Sequence, residues 1–300
     1  MNESLFKAYD IRGKYPEEIN ENFAYIIGKS YGSYLKKFLD KNKCVIGMDN
    51  RLSSKSLKAA LKEGLLDSGI NVVDYGEITT PMHYYTRYIE NTYGIMVTAS
   101  HNPKDDNGFK FSFDKLANAR GEMIEDFKEF TFQGNFLDGN GKCEERTIKD
   151  QYLKYLQDNI QMNNKSVKVV FDPGNGVTST IIKDAIKLFP NIEPIYICDI
   201  SDGTFPNHHP DPAIEENMQM LKEKVLETKA DLGIAFDGDG DRLGIIDENG
   251  KFVMADQYLI VAVRNLINKV ENKTFLCDVK CSKSLIDEIK RLGGNVYMSR

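Results

Sequence analysis

Short apolar runs alternate with longer stretches of helical period along most of the chain. CVIGMD (44–49) reads as a buried strand, and SKSLKAALKEGLLDSG (54–69) as the helix that follows it. Ser53 or Ser54 can cap the start of that helix and Gly69 can end it. NVVDYG (71–76) and YGIMVTAS (93–100) are further strands, with TTPMHYYTRYIE (79–90) as the helix between them. Strand, helix and strand repeated in this way predict parallel pairing in a layered α/β fold. The expected architecture is a succession of related α/β domains with mixed, mainly parallel sheets and flanking helices.

One plan recurs three times. CVIGMDNRLSSKSLKAAL, VKVVFDPGNGVTSTIIKDAI and TFLCDVKCSKSLIDEI each place an apolar strand before an aspartate (Asp49, Asp172, Asp278), then a polar turn and a helix. The glycine-rich, charged stretch FQGNFLDGNGKCEERTIKD (132–150) suits a linker running into a helix from about residue 148. The turn DENGK (247–251) closes the second unit. The predicted units are therefore 1–147, 148–251 and 252–300. The third holds a strand at 274–279 and NVYM with two helices, too little to bury much surface, and is expected to be an incomplete domain.

The chain has 300 residues, 41% hydrophobic and 28% charged, an ordinary globular mix. A net charge of −6 argues against a nucleic-acid partner, which calls for a basic face, but leaves phosphorylated small molecules open. No apolar run reaches the roughly 18 residues of a membrane span, so no membrane partner is expected. MNESLFKAYDIRG lacks the layout of a signal peptide. Cys44, Cys143, Cys198, Cys277 and Cys281 are odd in number, and none pairs as C-x-x-C. Three lie in or beside apolar runs, which predicts a reduced, cytoplasmic protein.

LGIAFDGDGDRLGIID (232–247) is the most informative segment. Asp237, Asp239 and Asp241 alternate with glycines between two apolar runs. Three carboxylates so close repel one another unless a cation neutralises them, and an all-oxygen set selects a hard ion, Mg²⁺ or Ca²⁺. An EF-hand fits in part: Glu248 completes the spacing, but Arg242 stands where the loop requires glycine, and the flanks have no helical period. A plain acidic turn is a further alternative. Arg242 is placed to hold a phosphate oxygen or simply to neutralise the aspartates.

Ser100 and His101 end the strand 93–100. A hydrolase nucleophile would sit in a G-x-S-x-G turn, and T-A-S-H-N is not one. The next residue along extended backbone points to the opposite side, which predicts that His101 is turned away from Ser100. A serine carrying a phosphoryl group needs a cation for its oxygens instead, and the aspartate loop could bring one.

TASHNP (98–103), NGFK (107–110) and DGDGDR (237–242), in that order, resemble the α-D-phosphohexomutase superfamily. FKAYDIRG (6–13) and FPNHHPDP (205–212) resemble its phosphomannomutase/phosphoglucomutase group. The resemblance implies that Ser100 is a phosphoserine and that Asp237, Asp239 and Asp241 hold Mg²⁺ together with one of its oxygens. It also implies that Lys110, Arg12 and Arg242 line the reacting centre, and that Lys280 reaches the substrate from the third unit. Tyr9 and His101 belong to the same motifs; for His101 a loop-stabilising hydrogen bond and a part in proton transfer are both open. A lysine among other cations sheds its proton more readily, which makes Lys110 a candidate general base toward a sugar hydroxyl.

GMDNRLSS (47–54) and ITTPMHYY (78–85) also match the family, and are expected to be structural. HHPDP (208–212) is expected to be a rigid loop rather than a metal site, because adjacent histidines rarely chelate one ion. The implied activity is reversible phosphoryl transfer between C1 and C6 of a hexose phosphate, with a hexose 1,6-bisphosphate as intermediate and activator. A phosphoglucosamine mutase and a non-catalytic fragment that binds metal or sugar phosphate are the alternatives. Members of the group have four domains, so this chain is expected to be a truncated form that turns over poorly, a monomer or weak dimer.

Overall fold

The computed structural model describes residues 2–114 and 118–299. The first unit comprises β1 (Asp10–Lys14), α1 (Glu21–Phe38), β2 (Lys43–Met48), α2 (Ser54–Asp67), β3 (Asn71–Glu77), α3 (Thr80–Glu90), β4 (Tyr93–Val97), β5 (Asp106–Phe111), α4 (Glu122–Gln133) and β6 (Cys143–Glu145). They build one six-stranded sheet in the order β1-β5-β4-β2-β3-β6. The four strands β4, β2, β3 and β6 run parallel, and β5 alone is reversed, pairing antiparallel with both β4 and β1. Residues 98–105 are too few for a parallel crossover, which takes about a dozen or more, so β5 returns alongside β4.

On one face of this sheet α1 and α2 cross at two glycines. A Cβ on Gly28 would lie 2.1 Å from the Leu61 carbonyl oxygen, and one on Gly64 equally close to that of Tyr25. Beneath them Tyr31, Phe109, Phe111 and Phe127 form a fully buried aromatic cluster with Ile27, Leu57 and Leu61. Val45, Val73, Ile78, Met82 and Met96 pack on the other face, under α3. The helix expected over 54–69 is α2, and Gly69 follows it at φ +82°. Ser53 makes no capping bond; instead Ser54 Oγ donates to Asp49 Oδ1 at 2.5 Å.

The second unit comprises α5 (Lys149–Asn159), β7 (Val167–Asp172), α6 (Ile182–Lys187), β8 (Ile192–Tyr196), α7 (Gln219–Thr228), β9 (Leu232–Phe236), β10 (Leu243–Asp247) and β11 (Phe252–Val253). Its sheet has the order β11-β10-β9-β7-β8, parallel from β9 to β8 and antiparallel from β9 to β11. The aspartate loop is the turn between β9 and β10. With strands on both sides it cannot be an EF-hand, which needs helices there.

α8 (Ala255–Leu266), β12 (Thr274–Asp278), α9 (Lys283–Arg291) and β13 (Asn295–Ser299) follow, with β12 and β13 parallel. The recurring plan has a common physical basis. Asp49, Asp172 and Asp278 each accept the backbone N–H two residues on (Arg51 3.1 Å, Gly174 2.9 Å, Lys280 2.7 Å) and so turn the chain at a strand's C-terminal end. The stretch expected as a linker differs. Residues 143–145 form β6 on the edge of the first sheet, because Val72 N donates to the Lys142 carbonyl and extends the ladder. All five cysteines are free thiols, and no helix among the described residues is long and apolar enough to cross a membrane.

Candidate active site

TASHNP leaves the C-terminal end of β4, where an α/β sheet presents its chemistry. Ser100 takes a left-handed φ of +56° and is fully buried, and its N–H donates to Thr98 Oγ1 at 2.9 Å. Arg51 holds the loop's backbone. Its guanidinium donates to the carbonyls of Ser100 (2.8 Å), Asn102 (2.7 Å), Pro103 (2.5 Å) and Asp106 (2.9 Å), while Nε faces Asp49 Oδ2 at 3.2 Å. Arg12, on β1, donates to the Ala99 carbonyl and, at 2.7 Å, to Asn102 Oδ1, and is itself anchored by Asp10.

The expectation that His101 turns away from Ser100 fails. Because Ser100 is left-handed and not extended, strand alternation does not apply, and His101 Nδ1 comes within 3.4 Å of Ser100 Oγ. The same nitrogen accepts from Arg242 Nη1 at 2.8 Å. Burial first, then the Arg242 charge, lower the His101 pKa and hold the imidazole neutral.

The aspartate loop of the second unit meets this serine directly. Ser100 Oγ donates to Asp237 Oδ2 at 2.6 Å, and Asp237 Oδ1 accepts the backbone N–H groups of Asp241 and Arg242, each at 3.0 Å. Asp239 Oδ2 accepts from Thr80 Oγ1 and Lys110 Nζ, both at 2.6 Å, and Lys110 also reaches Asp241 Oδ2 at 2.7 Å. Two glycines permit the approach. A Cβ on Gly238 would lie 2.5 Å from the Ser100 carbonyl oxygen, and Gly240, at φ +76°, has Thr178 Oγ1 2.4 Å from such a carbon.

One oxygen from each of Asp237, Asp239 and Asp241 lies within 4.8 Å of the others. Burial, then the charges of Asp239 and Asp241, push the Asp237 carboxyl well above its usual range. Burial would raise Asp239 too, but the adjacent Lys110 ammonium pulls it below. Asp239 Oδ1 is buried with no hydrogen-bond partner, as a carboxylate oxygen arranged for a cation would be. An oxygen-only set of two buried carboxylates and a third whose side chain is 20% exposed fits a hard divalent ion.

Lys110 does not sit among cations as expected. Its nearest groups are carboxylates rather than cations. Burial favours loss of its proton, but Asp239 and Asp241 outweigh that and raise its pKa, so in this arrangement it is an ammonium. Arg242 lies beside a cavity of about 410 Å³ lined by Asp241, Pro212, Leu243, Met254 and Tyr258, a size in the range of small-molecule pockets. Tyr9 and Lys280 are not drawn in. Tyr9 is 62% exposed, and Lys280 is exposed in the turn after β12; among the described residues neither hydrogen-bonds to Ser100 or the three aspartates.

Four residues outside the predicted set complete the centre: Asp49, Arg51, Thr80 and Phe205, whose ring lies 5.3 Å from the Arg51 guanidinium carbon. Asp49, Arg51 and Thr80 lie in the two segments expected to be structural, and the polar residues of GMDNRLSS at the end of an apolar strand were the available signal.

The family model for phosphoglucomutase/phosphomannomutase alpha/beta/alpha domain I matches residues 3–136, and the model for domain II matches residues 150–250. A phosphomannomutase/phosphoglucomutase of Pseudomonas aeruginosa is 39% identical over 98% of this chain, and a phosphoglucomutase of Neisseria meningitidis is 35% identical over 99%. The chain spans 63% and 64% of those two proteins. A crystal structure of a phosphoglucomutase/phosphomannomutase family protein from Burkholderia thailandensis superposes with a TM-score of 0.94 at 33% identity, covering all of this chain and 67% of that one. On the matched domains and on this likeness, the chain belongs to the phosphoglucomutase/phosphomannomutase family.

Proposed function

We propose that this chain carries the phosphoryl-transfer centre of a Mg²⁺-dependent hexose-phosphate mutase, with Ser100 as the phosphoryl carrier. The observation that supports it most is the 2.6 Å contact of a fully buried serine hydroxyl with Asp237, beside an unpartnered buried oxygen of Asp239. Asp237, Asp239 and Asp241, with an oxygen of phosphorylated Ser100, would hold Mg²⁺, which supplies positive charge for the phosphoryl oxygens. The expected boundary at 251 falls short, because Phe252–Val253 pairs with β10 as the edge of the second sheet. The first unit, the second unit through β11 and the residues from α8 onward would then contribute the carrier loop, the acidic loop and part of the substrate wall.

In the forward step the bond from phosphorus to Ser100 Oγ breaks as one forms to a sugar hydroxyl oxygen. The hydroxyl proton goes to a base, and Ser100 Oγ ends protonated. Phosphoryl transfer of this kind is governed by positioning and charge neutralisation, which Arg12, Arg242 and Lys110 provide. His101, neutral and 3.4 Å from Ser100 Oγ, is the proton relay this loop offers. Lys110 can accept a proton only once its carboxylate partners are engaged elsewhere. The second half-reaction returns the other phosphoryl group of a hexose 1,6-bisphosphate to Ser100. Lys280 and Tyr9 would meet the sugar, and mannose or glucose phosphate is the substrate that the names of the relatives favour.

The test is a coupled mutase assay on glucose 1-phosphate and mannose 1-phosphate with the whole protein. Ser100→Ala is expected to abolish turnover with both. Wild-type turnover in Ser100→Ala would overturn the reading.

A further inference from the structure

Among the described residues a second cluster of metal-ligating side chains lies at the C-terminal edge of the second sheet. Asp172 ends β7, Cys198 follows β8, and His208 sits in the loop that folds back over both. One ligand atom from each lies within 4.8 Å of the others. The three side chains share no residue with the aspartate loop, and their chemistry differs from it: one sulfur, one nitrogen and one oxygen.

The surroundings fix how each ligand points. His208 Nδ1 donates to the His209 carbonyl at 3.0 Å, which leaves Nε2 aimed at Asp172 Oδ2, 2.9 Å away. A histidine whose other ring nitrogen is tied to a backbone carbonyl is the arrangement metal-binding histidines adopt. Asp172 is fully buried, and its Oδ1 is taken by the Gly174 N–H at 2.9 Å, so Oδ2 remains for the cluster. Cys198 is held at φ +47°, a conformation L-residues rarely adopt, with its carbonyl accepting the Asn175 N–H at 2.8 Å. The adjacent-histidine objection does not apply here, since only His208 belongs to the cluster.

We propose that Asp172, Cys198 and His208 form a binding site for a borderline divalent cation, Zn²⁺, separate from the oxygen-only site around Asp237. Thiolate and imidazole select Zn²⁺ over Mg²⁺, and three protein ligands leave a fourth tetrahedral position for water. Binding displaces the thiol proton of Cys198 and the Nε2 proton of His208. Without the ion that second proton is well held: burial alone would lower the His208 pKa, but Asp172 raises it to about 10. The same loop carries Phe205, stacked on Arg51, so an ion here would brace the second unit against the serine loop.

Co²⁺ is the probe, because a cobalt–thiolate bond gives a charge-transfer band in the near ultraviolet and tetrahedral cobalt absorbs strongly in the visible. The wild-type chain is expected to show both with one equivalent of Co²⁺ and to lose them when Zn²⁺ is added. Cys198→Ser is expected to remove the charge-transfer band, and His208→Gln to weaken Zn²⁺ binding by more than about 100-fold. Cys143→Ser, Cys281→Ser and Asp239→Asn are expected to keep the band. A measurement on the unaltered chain accompanies these: Zn²⁺, but not Mg²⁺, is expected to protect Cys198 from alkylation, read by mass spectrometry. A band that survives Cys198→Ser would overturn the proposal. So would a wild-type chain with neither band nor Zn²⁺-dependent protection, which would reduce the cluster to a buried ion pair beside a thiol.

Discussion

Arg51 is the residue on which the serine loop depends most. Its fork spans four carbonyls of residues 100–106, a geometry that lysine's single ammonium cannot reproduce. Replacing it with glutamine also leaves Asp49 buried without its counter-charge, a loss of about 3–5 kcal/mol. Arg51→Gln is therefore expected to lower the unfolding free energy measured by urea denaturation by that amount, and Arg51→Lys to recover only part of it. A second residue sets a pH dependence. Burial, helped by the Arg87 charge, lowers the His83 pKa to about 3 in the folded chain, against 6.5 when unfolded. Only the unfolded chain takes up that proton between the two values. Stability from this site is thus fully present above about pH 6.5 and falls by up to about 1.4 kcal/mol per pH unit as the pH drops toward 3. In urea melts from pH 7 to pH 5, His83→Gln is expected to show a shallower decline than the wild type. Parallel curves would contradict this.

At the scale of elements, the parallel core was legible because β2, β4 and α2 carry uninterrupted apolar and helical patterns. β6 was not, since Cys143–Glu145 is exposed and mostly polar, and only its pairing with β3 makes it a strand. The same limit hid part of the site. Arg51 looks like a surface residue in sequence, and its burial comes from carbonyls about 50 positions away that turn back only after β4 has ended. His101 was misplaced because period-two reasoning stops where Ser100 becomes left-handed. The clustering of Asp237, Asp239 and Asp241 was readable because carboxylates alternating with glycines must converge in a tight turn, whereas the role expected of Ser100 came from the family resemblance alone. Two close approaches yield a further expectation. Gly28→Val is expected to force α1 from α2 and cost about 1–3 kcal/mol in thermal melts without altering cation binding. Gly238→Val, against the Ser100 carbonyl, is expected to abolish Mg²⁺ stabilisation.

For the whole molecule, the two sheets are joined by the site itself. Ser100 to Asp237, Thr80 and Lys110 to Asp239, Asn50 to Asn175, and Arg51 to Phe205 all cross between the first and second units. A cation held between the aspartate loop of the second unit and the Ser100 side chain of the first would stabilise both units together, by about 2.7 kcal/mol at 100 times its Kd. Mg²⁺ is expected to raise Tm in one cooperative transition, with Asp239→Asn removing the rise. A rise confined to one of two separate transitions would contradict that coupling.

Ser100 is the proposed carrier of the phosphoryl group. Incubating the chain with Mg²⁺ and glucose 1,6-bisphosphate, then mapping phosphopeptides by mass spectrometry, tests it directly. One phosphoryl group on Ser100, not transferred when EDTA replaces Mg²⁺ during the incubation and absent in Ser100→Ala, is the predicted result. Phosphorylation at another residue, or none in the Mg²⁺-loaded chain, would contradict it.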